Sequence, residues 1–128
     1  MVILKQISLT AENKPGELEK ITGILSNSKI NILAINLSGC DKTSIIKLIV
    51  DNPETACKNF KENGYKAKLD DVFGFEMEDK PGSFHNVAGI FAKNNLNIEN
   101  VYVYVKEARN NAALIIEVKD MKKAKSSF

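Results

Sequence analysis

The 128-residue chain has 18 Lys and Arg against 16 Asp and Glu, a formal net charge of +2, with 44% hydrophobic and 27% charged residues. That balance fits one ordinary or two very small globular domains and excludes a disordered chain. It also leaves no basic face of the kind that nucleic acid or an anionic membrane selects.

Taken in chain order, Val2 to Ala11 reads as a strand, with Ile3, Ile7 and Leu9 on one side of a period-2 pattern. Lys14-Pro15-Gly16 breaks it, and residues 16 to 28 repeat at helical spacing, with Leu18, Ile21 and Leu25 on one face. Asn31 to Ser38 is a second strand, in which Ile32, Ala34 and Asn36 alternate with Leu33, Ile35 and Leu37. Gly39 to Lys42 turns the chain into a β-branched third strand, Thr43 to Val50. Asp51-Asn52-Pro53 opens a second helix with proline in its first turn, Asn63-Gly64 closes it, and Tyr65 to Leu69 is a fourth strand.

The same order then begins again. Asn13-Lys14-Pro15-Gly16 recurs 66 residues later as Asp79-Lys80-Pro81-Gly82, and at that offset Gly23-Ile24 meets Gly89-Ile90 and Asn31-Ile32 meets Asn97-Ile98. The second copy runs through Val72 to Met77, Gly82 to Asn94, Leu96 to Lys106 and Ala112 to Val118, with a turn at Asn110-Asn111. Counterparts of Lys61 to Asp71 are absent. The reading is therefore α+β: two tandem βαββαβ modules of ferredoxin-like type, residues 1–71 and 72–128, with antiparallel sheets and helices on one face. The second module lacks its last strand. That strand would flank Val72 to Met77, whose exposed edge is expected to be covered by a second chain or a partner.

Chemistry is sparse. His85, the only histidine, corresponds to Glu19 on a helix surface, and no serine or cysteine stands in a nucleophile signature. Metal-ligand spacings and phosphate-binding glycine motifs are absent. Cys40 and Cys57 lack CxxC spacing, the Lys119 to Lys125 cluster reads as a solvated face, and no apolar run approaches the roughly 18 residues of a membrane helix. With no signal-peptide pattern at Met1 to Lys5, a soluble cytoplasmic protein is expected. It is also expected to be non-enzymatic and free of cofactor or metal.

What remains is a pair of Pro-Gly loops. A strand that ends in such a loop and opens a helix presents unpaired backbone N–H groups and the positive end of the helix dipole, which favour a carboxylate. Glycine there permits close approach of a ligand to the backbone. Asn31 and Asn97, at the next strand, offer amides that accept from an ammonium group and donate to a carboxylate. Gly23 and Gly89 fall mid-helix, where glycine costs about 1 kcal/mol relative to alanine, and are expected to mark close packing of the helix on the sheet or another helix.

The run Asn13-Lys14-Pro15-Gly16-Glu17-Leu18, with Gly23-Ile24-Leu25 and Ile30-Asn31-Ile32, resembles the ACT domain family. So does Asp79-Lys80-Pro81-Gly82-Ser83-Phe84, with Gly89-Ile90-Phe91 and Leu96-Asn97-Ile98. The resemblance covers nearly the whole chain and is closest to small stand-alone tandem ACT proteins. It implies a regulatory protein that binds an amino-acid effector at interfaces between paired modules, as a homodimer, through residues 13–18, 31, 32, 79–84, 97 and 98. In serine-binding members a histidine stands two residues before the motif Asn; Ala11 and Met77 stand there here. The alternative is a subunit that modulates a biosynthetic enzyme without sensing a ligand itself.

Overall fold

A computed structural model of the chain describes residues 1–105 and 111–128. Its elements are β1 (Val2–Glu12), α1 (Glu17–Asn27), β2 (Ile32–Cys40), β3 (Thr43–Val50), α2 (Pro53–Glu62), β4 (Lys66–Glu78), α3 (Ser83–Lys93), β5 (Ile98–Val105), β6 (Asn111–Val118) and α4 (Met121–Ser127). The chain forms two compact units, Lys5–Asp70 and Met1–Leu4 with Asp71–Phe128.

In the Lys5–Asp70 unit the strands lie in the order β2-β3-β1-β4. Antiparallel pairing sets Leu9 opposite Ile46 and Ile7 opposite Leu48, so these four side chains share one face. All are 1% exposed or less, and Ile21 and Leu25 of α1 and Ala56 and Phe60 of α2 close over them. Each such large aliphatic or aromatic side chain contributes roughly 1.5–3 kcal/mol on burial. Helix α2 begins as the sequence dictates: the Asn52 side chain accepts from the Thr55 amide at 3.4 Å and proline follows it. Gly64, at φ 85°, turns the chain out of α2 in the left-handed conformation that glycine adopts without strain.

The strict alternation expected along Asn31 to Ser38 does not hold. Ile32 pairs with Val50 and Ile35 with Leu48, so one extra residue, Leu33, stands as a bulge between two positions on the same face. The register shift recurs between Ile98 and Asn100 in β5, which makes Glu99 the second copy of the bulge. A bulge leaves the residue types unchanged, so periodicity alone gives no sign of it.

The second unit has the order β1-β4-β6-β5, with Val87 and Phe91 of α3 and Ala124 of α4 packed over Phe73, Leu114, Ile116 and Val118. The edge of Val72 to Met77 is not left for another chain. The N-terminal end of β1 occupies it: a Cβ placed on Gly74 would lie 2.9 Å from Val2 Cγ2 and 3.0 Å from Leu4 Cδ1. The first and fourth strands of the two repeats are thus fused into two long strands. β1 carries 11 residues and β4 carries 13, and each contributes one segment to each unit. The repeat boundary at residues 71 and 72 falls inside β4.

The Lys119 to Lys125 run, read as a solvated helix face or tail, leads into and lies along a capped helix. Asp120 accepts from the Lys123 amide at 2.9 Å, Ala124 is fully buried, and Lys125 pairs with Asp71. Phe128 then reaches Phe73, Phe75 and Phe91, with ring centroids 5.4–5.9 Å apart in edge-on or tilted geometry. The turn expected at Asn110-Asn111 lies partly outside the described residues; Asn111 opens β6.

Two outcomes follow. Deleting Met1–Leu4 exposes the β4 edge and is expected to lower stability by about 1–3 kcal/mol. Hydrogen exchange should accelerate at 72–77, and protection of 72–77 equal to that of the full chain would contradict the strand exchange. Phe128→Ala leaves its three ring partners uncovered. Because Phe128 is 41% exposed, its loss should cost about half of a core phenylalanine truncation, roughly 1.5–2.5 kcal/mol in urea unfolding.

Candidate ligand-binding loops

Both Pro-Gly loops have the same construction. Gly16 and Gly82 precede the first helical residue at φ 87° and 89°, with no side-chain cap. A Cβ at either position would touch nothing within 4 Å, so it is the backbone angle that calls for glycine. The expectation that each helix start leaves its amides open is met in part. Glu17 N–H donates back to the Lys14 carbonyl at 3.4 Å and Ser83 N–H to that of Lys80 at 3.2 Å, so one donor per helix is already used inside the loop.

The lysines of the loops are tied down as well. Lys14 Nζ lies 3.1 Å from Glu12 and Lys80 Nζ 2.7 Å from Glu78. The hydrogen bond and charge of the partner carboxylate raise both ammonium pKa values above the usual range, and Lys80 holds Glu78 below its own. These glutamates were missed in the sequence reading, although Glu12 and Glu78 also stand 66 residues apart, one place before the motif.

Asn13 has a definite structural task. Its Nδ2 donates to the Asp41 carbonyl at 3.0 Å and its backbone N–H to the Lys42 carbonyl at 2.9 Å, which holds the β2–β3 hairpin. A Cβ on Gly39 would come within 3.0 Å of the same amide, so glycine makes room for it. The Asp79 side chain has no N–H to donate, and Val105 stands 66 residues after Gly39, so the second loop is not a replica. The counterpart of Asp41 lies among residues 106–110, outside the described ones.

The two helix starts also differ in charge. Helix α1 carries Glu17 and Glu19 in its first turn, which already oppose the positive end of the dipole; α3 begins Ser83-Phe84-His85 and has no acidic residue there. Tyr65 donates its hydroxyl to Glu17 at 2.6 Å with Lys20 Nζ 5.6 Å from its ring centre. Partial burial, then the Glu17 bond and charge, push its phenol up to about 12. Leu18 and Phe84, the next residues of the predicted site, are 41% and 44% exposed, and His85 is exposed too.

Asn31-Ile32 and Asn97-Ile98 do not join these loops within a unit. Eleven helical residues separate the loop from the strand start in each repeat, about 16 Å of rise, so the two halves of the predicted site lie at opposite ends of α1 or α3. Neither asparagine caps a helix; Ser28 and Asn94 do. Asn31 is fixed through its backbone, donating to Asp51 Oδ1 and accepting from the Asp51 amide, both at 3.2 Å. Its side chain lies in an open groove with Glu19, Thr22, Gly23, Ser26 and Lys29.

The mid-helix glycines correct another expectation. A Cβ at Gly23 or Gly89 meets nothing within 4 Å, so neither serves packing inside the chain. Among the described residues no group of three or more His, Cys, Asp or Glu is placed to hold a metal ion, and no helix is long and apolar enough to cross a membrane.

This architecture has counterparts. A protein from Bacteroides thetaiotaomicron is 29% identical, with a TM-score of 0.88 over 98% of this chain and 85% of that one. The ligand-free regulatory subunit of aspartate kinase from Thermus thermophilus, 17% identical, matches with a TM-score of 0.69 over 100% and 98%. That from Thermus flavus, also 17% identical, gives 0.64 over 98% and 90%. No curated protein sequence matches the chain. The family model described as an ACT domain pair matches residues 1–128, end to end. The chain is a tandem pair of ACT modules and belongs to the ACT domain family.

Proposed function

We propose that this protein is a non-catalytic regulator that binds an amino acid at composite sites, each formed by the Pro-Gly loop of one module and the Asn-Ile strand start of another. The observation that carries this is the separation of the two halves along α1 and α3. One module presents carboxylate-seeking amides at one end and an amide side chain at the other, so a small zwitterion meets both only where two modules adjoin. A homodimer supplies such a neighbour.

The two loops are unequal candidates. At α3 the helix start is free of first-turn carboxylates and Asp79 offers a negative partner for an ammonium group, a combination suited to a zwitterion. At α1 the Asn13 amide is engaged with the hairpin and Glu17 and Glu19 occupy the field of the dipole. The α3 loop with Asn97 is therefore the stronger site. The fold likeness to aspartate kinase regulatory subunits fits a role in regulating a biosynthetic enzyme.

A ligand that binds only the folded protein raises its stability by about 2.7 kcal/mol at 100 times its Kd, a shift of several degrees in Tm. A thermal-shift series with the twenty amino acids at millimolar concentration is expected to single out one or a few. Asn97→Ala should remove the response and Asn31→Ala should weaken it less. Silence from all twenty would leave the alternative, a subunit that modulates its enzyme without sensing.

A further inference from the structure

We infer that the corner of the second unit where α3 runs into β5 and β6 runs into α4 is a carboxylate-binding half-site made by Asn97 and Lys119, and that the effector is an acidic amino acid whose side-chain carboxylate is held there.

The Lys5–Asp70 unit shows what the matching corner does with a carboxylate. Ile32 lies opposite Val50, so the next pair outward is Asn31 with residue 51. The Asp51 side chain accepts from the Asn31 backbone N–H at 3.2 Å, and the Asp51 N–H donates back to the Asn31 carbonyl at 3.2 Å. The chain thus seats one of its own carboxylates on this N–H. Asn52 follows at once as the cap of α2.

In the second unit the seat is kept and its occupant is replaced. Ile98 lies opposite Val118, which sets Asn97 beside position 119, and Asp120 then caps α4 as Asn52 caps α2. Position 119 is a lysine, and both it and Asn97 are exposed. An ammonium group donates and cannot accept, so Lys119 cannot close on the Asn97 N–H as Asp51 closes on that of Asn31. A backbone donor, an amide side chain and a cation are left together. That set suits a carboxylate, and the first unit has supplied its own.

The surroundings change sign in the same direction. With the helix ends Asn27 and Lys93 and the caps Asn52 and Asp120 taken as equivalent, Asn27, Asp51, Glu54 and Thr55 correspond to Lys93, Lys119, Lys122 and Lys123. Lys123 is already engaged, its Nζ donating to the Asn95 carbonyl at 3.0 Å, and this keeps a second ammonium group at the turn that leads to Asn97. The Asp120 carboxylate is occupied in turn, accepting from the Lys123 amide at 2.9 Å. Cations gathered in this way repel one another, and an anion among them relieves the repulsion. The inference rests on the composite-site reading: the α-carboxylate goes to a Pro-Gly loop of an adjoining module and the second carboxylate to Asn97 and Lys119. A neutral amino acid leaves the lysine unanswered, and a basic one is repelled.

Calorimetry and thermal shift of the full-length protein with aspartate, glutamate, asparagine and glutamine supply the test. Aspartate or glutamate is expected to bind about tenfold or more tightly than its own amide, because a charge-assisted contact replaces a neutral one. Lys119→Gln should remove that preference. Lys119→Asp, which rebuilds the contact Asp51 makes, should abolish binding of the acidic ligand, with the far-UV spectrum unchanged in both variants. Lys66→Gln, at another exposed lysine, should leave affinity and preference as they are. A Tm shift with some other amino acid and none with aspartate or glutamate would overturn the inference and leave the composite site standing. Equal affinity for acid and amide, or a preference for the acid that survives in Lys119→Gln, would overturn it too. Silence from every amino acid would remove both readings together.

Discussion

Interior strands need hydrogen-bonding neighbours on both sides, and in this chain β1 and β4 meet that need for each other in both units. The rest of the fold depends on this exchange. Val2 to Leu4 gives the second unit the flank its own repeat does not encode, and Lys66 to Asp70 gives the first unit its fourth strand. The missing strand of the second repeat is therefore no gap. The second repeat, cut out at residue 71, would lack the strand that Val2 to Leu4 supplies, whereas residues 1–71 contain the whole of the first unit.

The exchange also fixes where the loops stand. Lys14-Pro15-Gly16 follows β1 and Lys80-Pro81-Gly82 follows β4, so both loops are anchored at the ends of the longest strands among the described residues. A loop held this way has little freedom to rearrange. Gly16 and Gly82 reach φ 87° and 89°, the Glu12–Lys14 and Glu78–Lys80 pairs sit at the same place in each, and the following helices start at the same step. The loops differ instead in their side chains: Asn13 against Asp79, Glu17 against Ser83, Glu19 against His85.

Much of this was legible in the sequence, because repetition doubles each signal. Strand β3 and the two Pro-Gly helix starts stand where periodicity and turn chemistry put them, and the pairing of modules followed from one fixed offset. What escaped notice depends on geometry that residue type does not encode. The bulges at Leu33 and Glu99 shift a strand by one place without altering its composition. The Asn13 clamp needs the Asp41 carbonyl, 28 residues away, and no pattern announces such a partner. The cover over Gly74 comes from the far end of the chain. Gly23 misled for another reason: its repetition pointed to close packing, and nothing in the chain lies within 4 Å of where its side chain would begin.

That last point changes how repeated residues in a small domain are to be weighed. A glycine that costs helix stability and faces a neighbouring side chain is explained by the fold. Gly23 and Gly89 face no side chain, so the cost of each is offset elsewhere or not at all. The uncharged β2 edge beside Gly23 poses the same question in a second form, since an open strand edge is a hazard unless something occupies it.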